Sequence, residues 1–348
     1  MTSRDILLIK GAAQSRSFLV VSIVGSQYLI AARQPGYYNN GDKRLRGFGM
    51  KRFLSFVEIQ TKITSVFAFL MTIAYLWAKG YAIRWGATAL FFAAMLLFDL
   101  TTTAVNNYMG SKSHGETPHY GRTAGLLIIA ALLALSIAGG LTLVFMTDIV
   151  VLLAGGLCFL FGILYSYGPI PISATPFGES LSGLFYGLFI PFLLLYINLP
   201  AGALLALSLV GQTLHISTNL LTLLHLLLLS VVPVLTTANI MLANNICDVE
   251  RDRVSQRHTL PQYLGHKSVY LFAGLYYLCY AAIIAMAAAG VVSPICLLSL
   301  LTIIPVQRNI KKFFAEQVKS KTFVVSVKNY VIIMGALTVT IFLGGIVG

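Results

Sequence analysis

Apolar segments of about 20 residues recur along most of this 348-residue chain. A segment of that length can cross the hydrocarbon core of a bilayer, about 30 Å, as a single helix. Charged residues make up only 10% of the sequence, whereas soluble domains carry about a quarter. The pattern predicts an all-α polytopic membrane protein with about nine transmembrane helices, at residues 58–79, 86–107, 122–145, 149–168, 179–199, 219–243, 268–290, 291–306 and 329–347. The eighth segment is the shortest and contains Pro294 and Pro305.

The residues before the first predicted helix differ from the rest of the chain. The apolar run Phe18–Ala32 is too short to span comfortably, and a basic segment, Lys43–Arg52, follows it. We therefore expect residues 1–53 to form a cytoplasmic N-terminal arm and residues 54–348 to form the transmembrane domain.

The distribution of basic residues predicts the orientation of the chain. With the N-terminus inside the cell, 21 of the 24 lysines and arginines fall on cytoplasmic segments. This asymmetry is the positive-inside pattern of multi-pass proteins of the cell membrane. It also accounts for the net charge of +13, so the charge is no evidence for a nucleic-acid partner and we expect none.

An asparagine- and aspartate-rich run lies at the cytoplasmic end of the sixth apolar segment, with the sequence Asn244-Asn245-Ile246-Cys247-Asp248-Val249-Glu250-Arg251-Asp252-Arg253. The chain has only 11 acidic residues, and three of them fall within five positions of this run. Asp248 and Asp252 are four residues apart, so on a helix they share one face. Two carboxylates held in this way suit a divalent cation, which can in turn hold a diphosphate.

Two further charged residues, Asp99 and Lys62, lie inside predicted spans. An intramembrane aspartate is costly and usually faces a cavity or a partner, and Asp99 shares a helical face with Asn106 and Asn107. The alternative for Asp99 is a buried carboxylate that is hydrogen-bonded to neighbouring threonine or asparagine side chains. Lys62 either forms an i,i+4 ion pair with Glu58 or points into the same cytoplasm-facing cavity.

The loop between the fourth and fifth spans carries two turn motifs, Gly168-Pro169-Ile170-Pro171 and Thr175-Pro176-Phe177-Gly178-Glu179. Glu179 either stabilises the N-terminus of the next helix or acts as a ligand. Tyr108, Tyr165 and Tyr167 either belong to interfacial aromatic belts or line the path of a cation. Counting helices places this loop, the loop 108–121 and the loop 244–267 on the same membrane face.

Taken together, these motifs resemble those of the UbiA-type intramembrane prenyltransferases and, among them, the 1,4-dihydroxy-2-naphthoate polyprenyltransferases of menaquinone synthesis. The motifs that carry the resemblance are Asn244-Asn245-(x2)-Asp248-(x3)-Asp252-Arg253, Arg257-His258-Thr259-Leu260, Val57-Glu58-Ile59-Gln60-Thr61-Lys62 and the central loop 168–179. The resemblance covers about residues 54–347, and it implies the nine-helix fold of that family.

The resemblance implies an activity and a set of site residues. A polyprenyl diphosphate held by Mg²⁺ would donate its prenyl group to an aromatic acceptor, here a dihydroxynaphthoate, within the lipid bilayer. The implied catalytic residues are Asp248, Asp252 and Lys62. The implied metal ligands are Asp248, Asp252, Asn106, Asn107 and Asn244. The implied diphosphate-binding residues are Asn106, Asn107, Arg122, Arg257 and Lys112. The residues expected to line the acceptor and the tail are Tyr108, Tyr165, Tyr167, Glu179 and Asp99.

The first aspartate motif of the family is altered in this chain. Asn107 and Gly110 stand where carboxylates are usual, in the run Asn106-Asn107-Tyr108-Met109-Gly110. An asparagine still offers a carbonyl oxygen to Mg²⁺, but this half of the site has lost its negative charge. This change motivates one alternative, a catalytically impaired homologue that binds a quinone, an isoprenoid or a partner protein. A membrane transporter is a second alternative, because nine apolar helices alone would suit it equally well.

Overall fold

The computed structural model describes residues 49–113 and 119–347, with the backbone alone for residues 110–113 and 210. The predicted arm, residues 1–53, lies almost wholly outside the described residues. Its last residues belong to a short amphipathic helix, α1 (Gly49–Phe56), which crosses the predicted boundary at residue 54. Phe56 is buried at the end of this helix and packs with Leu100, Ala104 and Leu132.

Eight helical segments of the described residues are long and apolar enough to cross a membrane, so the all-α multi-pass fold is confirmed and the count of nine is not. In order they are a 3₁₀ turn, Ile59–Lys62, continued by α2 (Ile63–Ala78); α3 (Trp85–Ser113); α4 (Arg122–Met146); α5 (Ile149–Ser166); the segment Gly178–Asn198; α8 (Leu220–Cys247); α11 (Lys267–Ala288); and α13 (Val324–Val347).

The predicted eighth span, residues 291–306, does not form one long helix. A 3₁₀ helix runs over Pro294–Thr302 and passes into an amphipathic helix, α12 (Ile303–Ala315). Proline is tolerated in the first turn of a helix and has no N–H for the ladder elsewhere, so Pro294 and Pro305 favour a new start at each of these places. The apolar window in the sequence therefore ends within α12 and not at a helix end.

The helices pack around α8 at the centre of the bundle. Helix α8 contacts α11, and α13 contacts α2, while α3 and α4 form a third extensive pair. The hydroxyl of Tyr330 on α13 donates to the carbonyl of Thr64, 2.9 Å away, inside the bundle. Many leucines of α4 and α5 are exposed on the outside, as expected for helices that face lipid.

The segment Gly178–Asn198 consists of α6 (Gly178–Leu184), a π-helical turn (Phe185–Phe189) and α7 (Ile190–Asn198). It lies against α8 near Pro233, a proline inside that helix. A Cβ atom added at Gly187 would lie 2.2 Å from the backbone nitrogen of Val234. Only glycine permits so close an approach of the two backbones.

A β-hairpin that the sequence analysis did not predict follows α7. Strand β1 (Leu205–Val210) pairs antiparallel with β2 (Thr213–Thr218), with Leu207 opposite Ile216 and Leu209 opposite Leu214. Two residues, Gly211 and Gln212, connect the strands, and Gly211 has a positive φ of 62°. The hairpin lies at the end of the bundle opposite to the C-terminus of α8.

Two short helices follow α8 at its C-terminal end. Helix α9 (Val249–Val254) continues almost directly from α8, and α10 (Leu260–Leu264) precedes α11. Helices α3 and α8 are the second and the sixth span, so they run in the same direction through the membrane. The C-terminus of α3 therefore lies at this same end. These elements carry most of the site residues predicted from the sequence.

Candidate functional site

The two aspartates of the asparagine-rich run lie at the junction of α8 and α9. Asp248 is the residue between the helices, with φ −105° and ψ 8°. The backbone N–H of Asp252 donates to the carbonyl of Asp248 at 2.8 Å, so the helical i,i+4 relation survives the junction. The two residues are therefore stacked one turn apart, as their spacing predicts.

Asp248 contacts a cation from a distant part of the chain. Its Oδ2 atom forms an ion pair with the Nζ atom of Lys319, in the loop between α12 and α13. The side chain of Asp248 is 14% exposed and that of Lys319 is 33% exposed. Among the described residues, the second carboxylate oxygen of Asp248 has no hydrogen-bond partner.

Asp252 is more deeply buried and more heavily bonded. Its Oδ1 atom lies 3.3 Å from Nε of Arg257, and its Oδ2 accepts a hydrogen bond of 3.1 Å from the hydroxyl of Thr259. Burial raises the pKa of the Asp252 carboxyl above its usual range, and the nearby Arg257 and Thr259 offset only part of this effect. Asp252 thus anchors the loop that follows α9.

The same loop is bonded to the central loop between α5 and α6. Arg257 donates from Nη2 to the carbonyl of Ser173 at 2.9 Å, and the backbone N–H of His258 donates to the carbonyl of Ala174 at 2.8 Å. These bonds bring together two of the three polar loops that helix counting placed on one face. Arg257 is consequently held between Asp252 and the central loop.

Glu179 lies buried at the start of α6, beside the aspartate run. Its Oε1 atom accepts a hydrogen bond of 2.9 Å from the side-chain amide of Asn245, and the residue is 3% exposed. Its Oε2 atom is buried without a hydrogen-bond partner among the described residues. The hydroxyl of Tyr165, on α5, is also buried. Tyr167, in contrast, is 55% exposed.

Lys62 and Asp99 form a buried ion pair between the start of the first span and the middle of α3. The Nζ atom of Lys62 lies 2.8 Å from Oδ1 of Asp99, and it also donates to the backbone carbonyl of Asp99 and to the hydroxyl of Thr103. A lysine ammonium has three N–H donors, and here all three are engaged. The hydroxyls of Ser65 and Tyr186 complete the shell of Asp99.

This geometry decides between the sequence-based alternatives for these two residues. Lys62 pairs with Asp99 and not with Glu58, which has a left-handed backbone with φ 46°. The expected partners of Asp99 were threonine or asparagine, and the partners found are a lysine, a serine and a tyrosine. Contact of Lys62 with a diphosphate stays a prediction, and it requires this network to open.

The asparagine half of the site lies at the end of α3. Asn106 is exposed, whereas the side-chain amide of Asn107 donates to the carbonyl of Phe56 at 2.9 Å. The described contact of Asn107 thus joins it to α1, not to either aspartate. The ring of Tyr108 packs against Gly125 on α4.

The other predicted diphosphate and metal ligands take different positions. Arg122 is exposed at the first position of α4 and makes no ion pair with a described residue. The side chain of Lys112 lies outside the described part of the chain. Asn244 is half-buried, and its amide lies 3.3 Å from Oδ1 of Asn245. Within residues 49–113 and 119–347, no three histidine, cysteine, aspartate or glutamate side chains cluster closely enough to share a metal ion.

Three contact residues of the site were missed in the sequence analysis, namely Lys319, Tyr186 and Thr259. Thr259 was part of a matching motif without a role of its own. Lys319 lies 71 positions from its partner Asp248 in the sequence, and Tyr186 lies 87 positions from its partner Asp99. No local pattern in the sequence marks contacts of that range.

The architecture is that of the UbiA homologues. A structure of a digeranylgeranylglyceryl phosphate synthase superposes with a TM-score of 0.59 at 15% identity, over 86% of this chain and 99% of that one. A UbiA homologue from Aeropyrum pernix K1 superposes with a TM-score of 0.57 at 17% identity, over 80% of this chain and 98% of that one. The resemblance inferred from the motifs is therefore confirmed for the fold.

A sequence relative gives the second line of comparison. The chain is 31% identical over 134 residues to the 1,4-dihydroxy-2-naphthoate octaprenyltransferase of Bacillus subtilis (strain 168). That match spans 38% of this chain and 37% of the relative, so it covers little more than a third of either protein. No protein-family model matches the sequence.

Proposed function

We propose that this protein is an intramembrane prenyltransferase that moves a polyprenyl group from its diphosphate to an aromatic acceptor. The observation that carries the proposal is the stacked pair Asp248 and Asp252, set beside Lys319 and Arg257 at one end of a UbiA fold. Carboxylates that hold a dication and cations that receive phosphate oxygens are the two parts that a diphosphate site needs.

A second comparison supports the class of donor and the metal. A UbiA homologue from Archaeoglobus fulgidus, bound to DMAPP and Mg²⁺, superposes with a TM-score of 0.52 at 14% identity, over 83% of this chain and 99% of that one. By analogy, we propose a polyprenyl diphosphate as the donor and Mg²⁺ as the cofactor of this chain.

The residues at the site are compatible with Mg²⁺. Their donor atoms are oxygens, from the carboxylates of Asp248 and Asp252 and the amides of Asn244, Asn106 and Asn107, and Mg²⁺ prefers oxygen ligands. One oxygen of Asp248 is unbonded among the described residues. Because only two carboxylates are at hand, much of the coordination shell falls to water and to the diphosphate itself, as is usual for Mg²⁺.

The bound cation would supply Lewis-acid stabilisation of the departing diphosphate. The chain's own residues would do the rest. Arg257 is held by Ser173 and Asp252, and it would donate hydrogen bonds to phosphate oxygens at the loop surface. The isoprenoid tail is too apolar to leave through water and would lie among the helices. The carbon–oxygen bond of the allylic diphosphate breaks and diphosphate leaves. The electron-rich ring carbon forms the new carbon–carbon bond, and for a dihydroxynaphthoate the carboxyl group on that carbon is lost as CO₂.

Glu179 is the residue we assign to the acceptor. Its Oε2 atom is buried without a partner among the described residues, and an unpartnered buried acceptor atom is costly unless a ligand uses it. A phenolic hydroxyl of the acceptor would donate to it. The Bacillus subtilis relative is a 1,4-dihydroxy-2-naphthoate octaprenyltransferase, and on this basis we propose a dihydroxynaphthoate acceptor and a place in menaquinone synthesis.

We further propose that the N-terminus and the site loops lie in the cytoplasm, as the positive-inside pattern indicates. The described loops at the site end carry Arg251, Arg253, Arg257 and Lys319, whereas the opposite end carries Lys79 and Arg84. Cysteine labelling from either side of intact vesicles would test this orientation.

The second candidate function is a homologue that binds an isoprenoid or quinone without turnover. Two observations favour it: the first motif has lost its carboxylates, and the Asn107 amide is bonded to Phe56 instead of facing the aspartates. In that case, binding of prenyl diphosphate would be weak or insensitive to Mg²⁺.

Turnover of the purified full chain in detergent decides between the two functions. The assay uses labelled farnesyl, geranylgeranyl and longer diphosphates with Mg²⁺ and 1,4-dihydroxy-2-naphthoate. We expect product with the natural chain and a loss of at least ~100-fold in Asp248→Asn, because loss of outer-shell partners alone costs about 10- to 100-fold.

Glu250→Gln is the matched control, since Glu250 lies two residues from Asp248 and its side chain is 85% exposed. Its activity should stay within about twofold of the natural chain. A silent natural chain that becomes active in Gly110→Asp would support the second candidate. If no variant turns over and none binds diphosphate, the proposed metal and diphosphate site is wrong.

A further inference from the structure

Lys319 is the cation nearest to Asp248, yet no sequence motif points to it. It lies in the loop between α12 and α13, and its Nζ atom contacts Oδ2 of Asp248. The loop is closed on itself by hydrogen bonds between Val318 and Thr322, which fix where the Lys319 side chain leaves the backbone. Lys321, two residues on, instead pairs with Glu316 at 2.7 Å on the protein surface.

The charges around the aspartate pair cancel in this structure. Asp248 faces Lys319, and Asp252 faces Arg257, so two carboxylates meet two cations. The opposite half of the site, with Asn106 and Asn107, adds no charge. A dication that binds Asp248 must therefore compete with an ammonium already in place, and an incoming diphosphate needs more positive charge than one dication supplies.

Lys319 and Arg257 differ in how firmly they are held. Arg257 forms an ion pair with Asp252 and donates to the carbonyl of Ser173, so it has two partners. Among the described residues, Lys319 has one partner, and its side chain is 33% exposed. A lysine ammonium on a flexible stem can rotate its three donors to a new acceptor without rearranging the backbone.

We propose that Lys319 is a diphosphate-binding residue that exchanges its partner: it neutralises Asp248 in the empty site and transfers to the diphosphate oxygens when a divalent cation takes Asp248. This inference rests on the proposed function. It makes Lys319 both a competitor of the metal and a ligand of the substrate. It also supplies positive charge to the diphosphate, which the neutral side chains of Asn106 and Asn107 do not.

The exchange predicts effects of opposite sign in a single variant. Lys319→Met removes the competitor, so Mn²⁺ alone should bind about tenfold more tightly. The same variant lacks one charge-assisted hydrogen bond to the diphosphate, so inorganic diphosphate in saturating Mn²⁺ should bind about tenfold more weakly. A lysine that merely holds the loop in place would not strengthen metal binding when it is removed.

The test uses the full chain in detergent, with Mn²⁺ as the metal probe, measured by the electron paramagnetic resonance signal of free Mn²⁺, and labelled inorganic diphosphate as the anion probe. Lys321→Met is the matched control, because it removes the same charge from the same loop, and it should leave both affinities within about twofold. Lys319→Arg keeps the charge and should restore most of the diphosphate affinity. Thermal unfolding of each variant confirms that it is folded.

The outcomes separate this inference from the function beneath it. Weaker Mn²⁺ binding in Asp248→Asn, together with the opposite shifts in Lys319→Met, supports both. Weaker Mn²⁺ binding in Asp248→Asn, with no change or with shifts of the same sign in Lys319→Met, overturns the exchange and leaves the metal site standing. Unchanged Mn²⁺ binding in Asp248→Asn removes the metal site, and the exchange with it.

Discussion

The two halves of the candidate site are built from different interactions. At the end of α8, Asp248 is paired with Lys319 from a distant loop, and Asp252 is paired with Arg257 from the loop that follows α9. At the end of α3, Asn106 is exposed and Asn107 is bonded to the backbone of α1. Asp248 thus holds a loop that is distant in sequence and Asp252 holds the loop that follows it, whereas the Asn107 amide is held by a neutral hydrogen bond to α1. Ion pairs hold the aspartate half of the site, and a neutral hydrogen bond holds the asparagine half.

The asparagine half depends on a charge pair of its own, two turns deeper in α3. The ion pair between Lys62 and Asp99 ties α3 to the first span, and Tyr186 ties it to the segment that follows α6. The polar groups that orient this half are therefore buried, while those of the aspartate half are closer to the surface. Substitutions in either half of the site can test this difference.

The largest effect is expected from Lys62→Met. Removal of one partner from a buried ion pair leaves an uncompensated charge, which costs about 3–5 kcal/mol of unfolding free energy. Thermal and denaturant unfolding in detergent measure this loss, and the double variant with Asp99→Leu should recover part of it. Lys79→Met, at the exposed end of the same span, is the control. Unchanged stability with lost turnover would instead place Lys62 on the diphosphate, as the sequence motif implies.

A smaller effect is expected within the aspartate half. Asp252→Asn should lower the free energy of unfolding by roughly 2 kcal/mol, because it removes a carboxylate that binds both Arg257 and Thr259. Asp248→Asn should leave stability nearly unchanged, since Asp248 has a single, partly exposed partner. Unfolding curves of the two variants, compared side by side, test the distinction. Equal losses of unfolding free energy in the two variants would show that Asp252 anchors its loop no more strongly than Asp248 does.

The smallest effect is expected from Asn107→Asp, which puts a carboxylate back into the asparagine half. The Asn107 amide donates to the carbonyl of Phe56, and a carboxylate would instead face that carbonyl oxygen. We expect a loss of roughly 1 kcal/mol of stability and no gain in Mn²⁺ affinity. Asn106→Asp, at the exposed neighbouring position, should leave stability unchanged. Tighter Mn²⁺ binding in Asn107→Asp would show that the amide turns towards the metal.

Much of the architecture follows from the sequence because membrane spans are set by length and hydropathy. Eight of the nine predicted windows agree with the observed spans to within five residues at both ends. The prediction of a span at residues 291–306 was wrong, because hydropathy does not show where prolines begin a new helix. The hairpin Leu205–Thr218 was missed because its alternating pattern is short and lies between two long apolar helices.

The site was predictable only as far as local spacing reaches. The spacing of Asp248 and Asp252 correctly placed them one helical turn apart, and the motif correctly grouped Arg257 with them. The partners Lys319 and Tyr186 depend on how distant helices pack, which a single sequence does not encode in any local pattern. The same limit applies to Lys62, whose nearest acidic neighbour in sequence, Glu58, is not its partner.

The π-helical turn Phe185–Phe189 has a consequence for how this chain can vary. A π turn holds one residue more than an α turn, so it shifts the angular phase of everything beyond it by about 100°. Deletion of a single residue here would restore a regular helix, but it would rotate the buried face of α7 towards lipid. Tyr186, whose hydroxyl donates to Asp99, lies within this turn. The number of residues in this turn therefore determines which face of α7 is buried. An insertion or deletion that a loop would tolerate would disrupt the packing of the span here.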